Sequence, residues 1–166
     1  MGIVQRDYLE RMIEEAAGAI GQILQLARAG DLDLALILVG KTRDLVLGPM
    51  RPVLERVDAA SAVALVGKYD LDRLRMYAVL LGEEGAIHER RGQPARAEQC
   101  YRHALELYAA TSLAGGRLQA ADWDRIALLE PRAPAGSIEA RYREELRRLA
   151  GRASASSDEG AGIVAM

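Results

Sequence analysis

Apolar residues recur at intervals of three and four along most of the chain, and this periodicity predicts a protein built from amphipathic helices. The first helix is expected to begin at Asp7, a residue type preferred at helix N-caps, and to run to about Ala29. Gly18 and Gly21 lie inside it, where each costs up to about 1 kcal/mol relative to alanine. We therefore expect a neighbouring helix in close contact with both glycines. The apolar face consists of Tyr8, Met12, Ala16, Ile20, Ile23 and Ala27.

A second helix is predicted to follow Gly30, beginning near Asp31 and ending at the breaker pair Gly48-Pro49. The apolar run at residues 34–39 has the length of a strand as well, but helix signals flank it on both sides, which favours a helix. Its apolar face consists of Ala35, Leu38, Val39, Thr42 and Val46.

Residues 49–113 predict two short helices followed by a long helical hairpin. The short helices are expected from Pro52 to Val57 and from Asp58 to Val66, where Gly67 ends the second. Asp70 or Asp72 then caps a long helix that ends at Gly92, and its partner runs from about Pro94 to Leu113. One stripe of the long helix consists of Leu74, Ala78, Leu81, Gly85 and His88.

The C-terminal part predicts two more helices and a tail. Gly115-Gly116 marks a break, and a short helix is expected around Leu118 to Leu129. A last amphipathic helix is expected from an N-cap at Ser137 to Leu149, with Gly151 as its stop. Such a helix typically caps a stack of repeats. Residues 152–166, rich in Ser, Ala and Gly, predict a disordered tail after a single helical domain at residues 1–151.

The segment 81–108 resembles a tetratricopeptide repeat, a helix–turn–helix unit of about 34 residues. Gly85 and Ala97 are small enough for two antiparallel helices to approach closely, and Tyr101 fills the space between them. Residues 16–47 resemble a degenerate copy, because Gly30 precedes Ala35 by the same interval that separates Gly92 from Ala97. The expected fold is therefore all-α, with tetratricopeptide-like antiparallel hairpins in an α–α superhelix and a C-terminal capping helix.

Residues 5–113 also resemble a bacterial family of unknown function, domain-of-unknown-function family 6483. The resemblance rests on the opening Asp7-Tyr8-x-x-Arg11-Met12-Ile13-Glu14, on the Arg28-x-Gly30 turn with Ala35, and on the helix ARAEQCYRHALELY. It implies a tetratricopeptide-like helical fold and no particular activity. The chain departs from the repeat pattern at Leu81, Glu84 and Ala109, which stand at the usual tryptophan, leucine and proline positions.

Composition and charge narrow the class of protein. Half of the 166 residues are apolar, as in ordinary globular domains, and the net charge of −2 argues against a nucleic-acid partner. The single cysteine, Cys100, excludes an intramolecular disulfide framework. The opening residues turn charged too early for a signal sequence, and no apolar stretch has the length of a membrane span. A cytoplasmic protein without a membrane partner is expected.

The motifs that resemble phosphate-binding, metal-binding or catalytic sites are incomplete. Gly40-Lys41-Thr42 lacks the first glycine of a phosphate loop, because Ala35 stands there. Glu84 and His88 share a helix face, but the chain has no second Glu-x-x-His motif of the kind that builds di-iron sites, so a packed histidine is favoured. Cys100 and His103 have no third orienting group. We therefore predict no catalytic residue, cofactor or metal ligand, and no enzyme.

The function that these features favour is a non-catalytic module that binds another protein or a peptide, in a pathway that the sequence does not name. In tetratricopeptide repeats the first helix of each hairpin lines the binding surface, and Arg90→Glu is expected to weaken binding without lowering the melting temperature. Two alternatives remain: a self-associating structural homodimer, and, with less support, a metal-binding helical protein that uses Glu84 and His88. The expected groove residues are Ile20, Leu24, Arg28, Val79, Ala86, Glu89 and Arg90.

Overall fold

The computed structural model describes residues 2–134 and 136–161, and all regular secondary structure in this part of the chain is helical. Two short 3₁₀ turns, Gly48–Met50 and Glu130–Arg132, accompany the α-helices. The α-helices are α1 Gly2–Arg28, α2 Leu32–Leu47, α3 Arg51–Leu54, α4 Ala59–Val66, α5 Leu71–Arg90, α6 Pro94–Leu113, α7 Ala120–Leu129 and α8 Ala140–Ala161.

The three most extensive contacts between the described elements form three helical hairpins: α1 with α2, α5 with α6, and α7 with α8. Helix α5 lies at the centre, since it contacts α1, α2, α4, α6 and α7. Every residue from Leu74 to Leu81 is buried, which is the pattern of a helix covered on all sides rather than of a surface helix with one apolar stripe. Helix α8 completes the stack by packing along α6.

The hairpin of α5 and α6 has the predicted bounds and the predicted contact surface. Helix α6 runs from Pro94 to Leu113, and the stripe of α5 is buried from Leu74 to His88. Gly85 is the point of closest approach, because a Cβ at this position would lie 2.6 Å from the Tyr101 ring. Gly92 turns the chain between the helices with a φ of +71°, a conformation that glycine adopts without strain.

The prediction for the start of the first helix is wrong. Helix α1 begins at Gly2, so Asp7 lies inside the helix, where the neighbouring Arg6 and Glu10 form an i,i+4 ion pair at 3.5 Å. Gly18 and Gly21 are exposed, and no atom outside α1 lies within 4 Å of a Cβ built on either. The expected close helix contact is absent at both glycines because they lie on the solvent side of α1.

The predictions for the last two helices need correction at their ends. Helix α7 begins at Ala120, where Gln119 and Asp122 form a capping box. Ser137 does not cap α8: its hydroxyl donates to the Pro134 carbonyl at 2.7 Å, and the helix begins at Ala140. Helix α8 continues through Gly151 to Ala161, so Gly151 is not its stop. Its buried stripe passes Gly151 and consists of Tyr142, Leu146, Leu149 and Ala153.

The rest of the predicted tail, residues 162–166, lies outside the described residues. Across the described ranges, no helix combines the length and the apolar character needed to cross a lipid bilayer.

Candidate partner-binding face

The first helices of the three hairpins lie next to one another. Helix α5 packs against both α1 and α7. Near the C-terminal end of α1, the Arg90 guanidinium of α5 donates to the Ala27 carbonyl. We call the outer side of these helices the α1–α5–α7 face, and it includes Arg28, Glu83, Ala86, Glu89, Arg90, Arg125, Leu128 and Arg132.

A depression of about 90 Å³ opens in this face between α5, α6 and α7. It exists because α5 carries two small residues one turn apart, Gly82 and Ala86, opposite α7. A Cβ at Gly82 would lie 3.4 Å from the Leu129 side chain, so even one added methyl group narrows the space. The volume is below the roughly 150 Å³ of an apolar cavity that holds benzene, and it suits one aliphatic side chain. Its lining also includes Val79, Tyr101, Tyr108 and Leu128.

The rim of the depression is mainly basic. Arg125 and Arg132 line it, and Arg28 of α1 is close enough to Glu83 to act on that carboxyl group. Burial raises the pKa of Glu83, and the positive charges of Arg125 and Arg28 oppose this rise. Four arginines and two glutamates therefore lie on this face. Three of the arginines already have partners: Arg125 lies 3.6 Å from the Asp122 carboxylate, Arg132 pairs with Glu89, and Arg90 donates to the Ala27 carbonyl.

Glu89 fixes one end of the rim. Its carboxylate accepts a hydrogen bond from the Tyr101 hydroxyl at 2.7 Å and lies 3.4 Å from the Arg132 guanidinium. The same guanidinium lies 5.8 Å from the centre of the Tyr101 ring. These contacts connect α5 and α6 with the 3₁₀ turn that follows α7, and they hold Arg132 at the edge of the depression.

The seven groove residues expected from the sequence divide into three groups. Arg28, Glu89 and Arg90 are exposed, and Leu24 and Ala86 are half-buried. Ile20 and Val79 retain only 6% and 3% of their exposure, so Ile20 belongs to the core and Val79 to the floor of the depression. Because Arg90 holds the end of α1, we now expect Arg90→Glu to lower the melting temperature, which makes it unsuitable as a test of binding alone.

Sequence reasoning missed the contribution of α7. Arg125 and Leu128 of α7 and Arg132 of the following 3₁₀ turn complete the face, whereas the sequence predicts only a short helix around Leu118 to Leu129. One signal was present in the pair Leu128-Leu129. Adjacent helix positions point about 100° apart, and Leu129 is buried whereas Leu128 stays 58% exposed.

The residues with metal-binding chemistry lie on another side of α5, toward α2 and α6. Glu84 pairs with Arg43 of α2, and its other carboxylate oxygen lies 3.5 Å from His88 Nε2. The Cys100 thiol of α6 joins these two side chains, with the three ligand atoms within 4.8 Å of one another. Burial, followed by the negative charge of Glu84, raises the pKa of Cys100 to about 12. The other histidine, His103, packs edge-on against Tyr77 instead.

The Gly40-Lys41-Thr42 triplet lies within α2 rather than in a loop, and the Thr42 hydroxyl donates to the Leu38 carbonyl at 2.7 Å. Its backbone N–H groups are therefore part of the helix and do not form a phosphate cradle. Comparisons of the chain with protein-family models, with curated proteins and with solved structures found no match.

Proposed function

We propose that this protein is a non-catalytic interaction module that binds an acidic segment of another protein through the α1–α5–α7 face. The observation that carries this proposal is a depression for one aliphatic side chain with an arginine-rich rim, in a chain whose net charge is −2. A peptide with one aliphatic side chain flanked by acidic residues complements such a site in shape and in charge. The expected ligand is a peptide with Leu, Ile or Met next to Asp or Glu.

We further propose that the three hairpins are tetratricopeptide-like units, as the resemblance to family 6483 implies for residues 5–113. Two packing relations support this. Helix α5 packs against both helices of the preceding hairpin, and α7 packs against both α5 and α6. In such an array the first helix of each unit lines the concave surface, which here means α1, α5 and α7. The short helices α3 and α4 between the first two hairpins depart from a regular array.

The expected affinity is modest. One buried aliphatic side chain contributes about 1.5–3 kcal/mol, and each exposed arginine–carboxylate pair about 0.2–1 kcal/mol. Even with four such pairs these terms total at most about 7 kcal/mol, so we expect a Kd of about 10 μM or weaker. Because the charged groups are exposed, binding should weaken as salt is added.

A display library of random peptides, selected on the purified chain, tests the ligand class. We expect the selected sequences to combine an aliphatic residue with one or more acidic neighbours. Selection of basic or uncharged peptides, or of none, would contradict the proposal.

A pair of double variants then tests the location of the site by fluorescence anisotropy with one selected peptide. We expect Arg28→Gln with Arg132→Gln to weaken binding about fivefold to tenfold, since two exposed ion pairs are lost. The matched control, Arg96→Gln with Arg147→Gln, removes two exposed arginines from α6 and α8 and should leave binding unchanged. Equal losses in both double variants would remove the α1–α5–α7 face as the site.

Self-association is the second candidate, and the length of α1 favours it. Helix α1 has 27 residues and its partner α2 has 16, so at 1.5 Å per residue α1 is longer by about 16 Å. Ile3, Val4 and Tyr8 in its first part are 60–78% exposed. An antiparallel pair of these segments centred on Tyr8 would bring Arg6 of each copy opposite Glu10 of the other.

Light scattering over a range of concentrations tests this second candidate. A dimer that Val4→Glu dissociates would support it, and a monomer at every concentration would exclude it.

A further inference from the structure

Glu84, His88 and Cys100 form a cluster of one oxygen, one nitrogen and one sulfur ligand on two packed helices. Glu84 and His88 lie on successive turns of α5, and Cys100 lies across from them on α6. Cys100 reaches the cluster because Gly85 has no side chain, since a Cβ there would lie 3.1 Å from the Cys100 Cβ. All three ligand atoms lie within 4.8 Å of one another, and His88 is only 7% exposed.

One hydrogen bond orients His88. Its Nδ1 lies 2.9 Å from Oε1 of Gln93, and an amide oxygen only accepts, so Nδ1 donates in this contact. Nε2 lies 3.5 Å from Oε1 of Glu84, which is longer than an ordinary N–H···O hydrogen bond. A proton on Nε2 or a metal ion between the two atoms stabilises this pair, and a metal ion gains a third ligand from Cys100. A histidine that ligates a metal is oriented in this way, by donating from its other ring nitrogen.

Glu84 is oriented as well. Its Oε2 pairs with the Arg43 guanidinium, which leaves Oε1 for a ligand. Arg43 in turn lies 3.4 Å from the Glu55 carboxylate and 5.6 Å from the centre of the Tyr77 ring. Glu55 is shared with Arg51, whose Nε lies 2.8 Å from the same Glu55 oxygen. These contacts hold Arg43 in position, and Arg43 in turn holds the carboxylate of Glu84.

We propose that Oε1 of Glu84, Nε2 of His88 and Sγ of Cys100 bind a divalent transition-metal ion of the zinc type. Mixed oxygen, nitrogen and sulfur ligands suit zinc rather than magnesium or calcium. Metal–ligand distances of about 2.0–2.3 Å place tetrahedral ligand atoms roughly 3.3–3.8 Å apart, so the cluster contracts by about 1 Å through side-chain rotation. The Cys100 thiol releases its proton to solvent as the sulfur–metal bond forms. Water fills the fourth position, because Cys100 is only partly buried.

This site is separate from the proposed peptide-binding face. Glu84 and His88 point toward α2 and α6, whereas Glu83 and Ala86 of the same helix belong to the α1–α5–α7 face. The proposed metal site can therefore be tested independently of peptide binding.

Cobalt titration of the full chain, prepared without a histidine tag and stripped with a chelator, tests the metal site. We expect one equivalent of Co²⁺ to produce a thiolate-to-cobalt charge-transfer absorption, which Zn²⁺ then abolishes by displacement. Absence of this absorption in the natural chain overturns the proposal.

Three conservative variants identify the ligands. Cys100→Ser should abolish the charge-transfer absorption. His88→Asn keeps a hydrogen-bond donor for Gln93 but removes the Nε2 ligand. Glu84→Gln keeps an oxygen for Arg43 but removes the negative charge. Each of these two variants should weaken Co²⁺ binding at least about tenfold. The matched control, His103→Gln, should bind Co²⁺ like the natural chain. An absorption that survives Cys100→Ser, or that His103→Gln abolishes, overturns the assignment.

Discussion

The ion pair between Arg75 of α5 and Asp122 of α7 provides the sharpest test of how the third hairpin is held. Asp122 is fully buried, and Arg75 retains 6% of its exposure. One carboxylate oxygen of Asp122 lies 3.3 Å from the Arg75 guanidinium and 2.8 Å from the Gln119 N–H at the start of α7. Asp122→Ala therefore removes an inter-helix pair and a helix cap in a single change.

The expected loss of stability follows from these contacts. Breaking a buried pair by removing one partner costs about 3–5 kcal/mol, and a lost cap costs about 1 kcal/mol. Arg75 keeps a second partner, since its Nε lies 3.3 Å from the Asp72 carboxylate, which is 47% exposed. This residual pairing limits the cost, and we expect a total near 3–4 kcal/mol. For a chain of this size that lowers the melting temperature by about 6–16 °C.

Urea unfolding followed by circular dichroism measures the change, with Asp124→Ala as the control. Asp124 lies on the same helix but is exposed, so its removal should cost less than about 0.5 kcal/mol. Replacing both partners, with Arg75→Met and Asp122→Leu, should recover most of the loss because no unpaired charge stays buried. Asp122→Ala and Asp124→Ala with equal stabilities would refute the account of how α7 is held.

Two further changes test the packing and the charge of the central helix. Gly85→Ala should lower stability by about 1–3 kcal/mol, because the added methyl group overpacks against Tyr101. Gly18→Ala should raise stability by up to about 1 kcal/mol, because a Cβ at this position meets nothing within 4 Å. Thermal melts in which both variants change the melting temperature in the same direction would refute the contact between Gly85 and Tyr101. Glu83→Gln should raise the free energy of unfolding at pH 7. Burial holds the pKa of Glu83 above its ordinary 4.5, so folding favours the protonated carboxyl group. The stability that this protonated group contributes is lost as the pH rises through its folded-state pKa, whereas a neutral glutamine is not affected. The gain should shrink as the pH falls below 4.5, and a gain that does not depend on pH would refute this cause.

The parts of the fold that could be predicted from the sequence are those marked by turn residues and by small residues at helix contacts. Gly92 and Pro94 mark the turn between α5 and α6, and the small residues Gly85 and Ala97 mark the contact between them. A glycine did not mark the end of a helix where the pattern of buried residues continued beyond it. Gly151 does not end α8, because the buried stripe continues to Ala153.

The candidate sites depended on contacts that sequence spacing does not reveal. Arg75 and Asp122 are far apart in the chain, so nothing local showed that α7 completes the α1–α5–α7 face. Cys100 and His103 are only three residues apart in the sequence, but the fold brings the Cys100 thiol together with Glu84 and His88 across the helix pair. That register is set by Gly85, and it becomes visible only when the two helices are packed.

The most direct test of peptide binding by the α1–α5–α7 face is a nuclear magnetic resonance titration of the labelled chain with a peptide selected from the library. We expect the largest shift changes at the residues around the depression, in particular Gly82, Ala86, Leu128 and Leu129. Shift changes confined to α8 or to the first turns of α1 would contradict the proposed face.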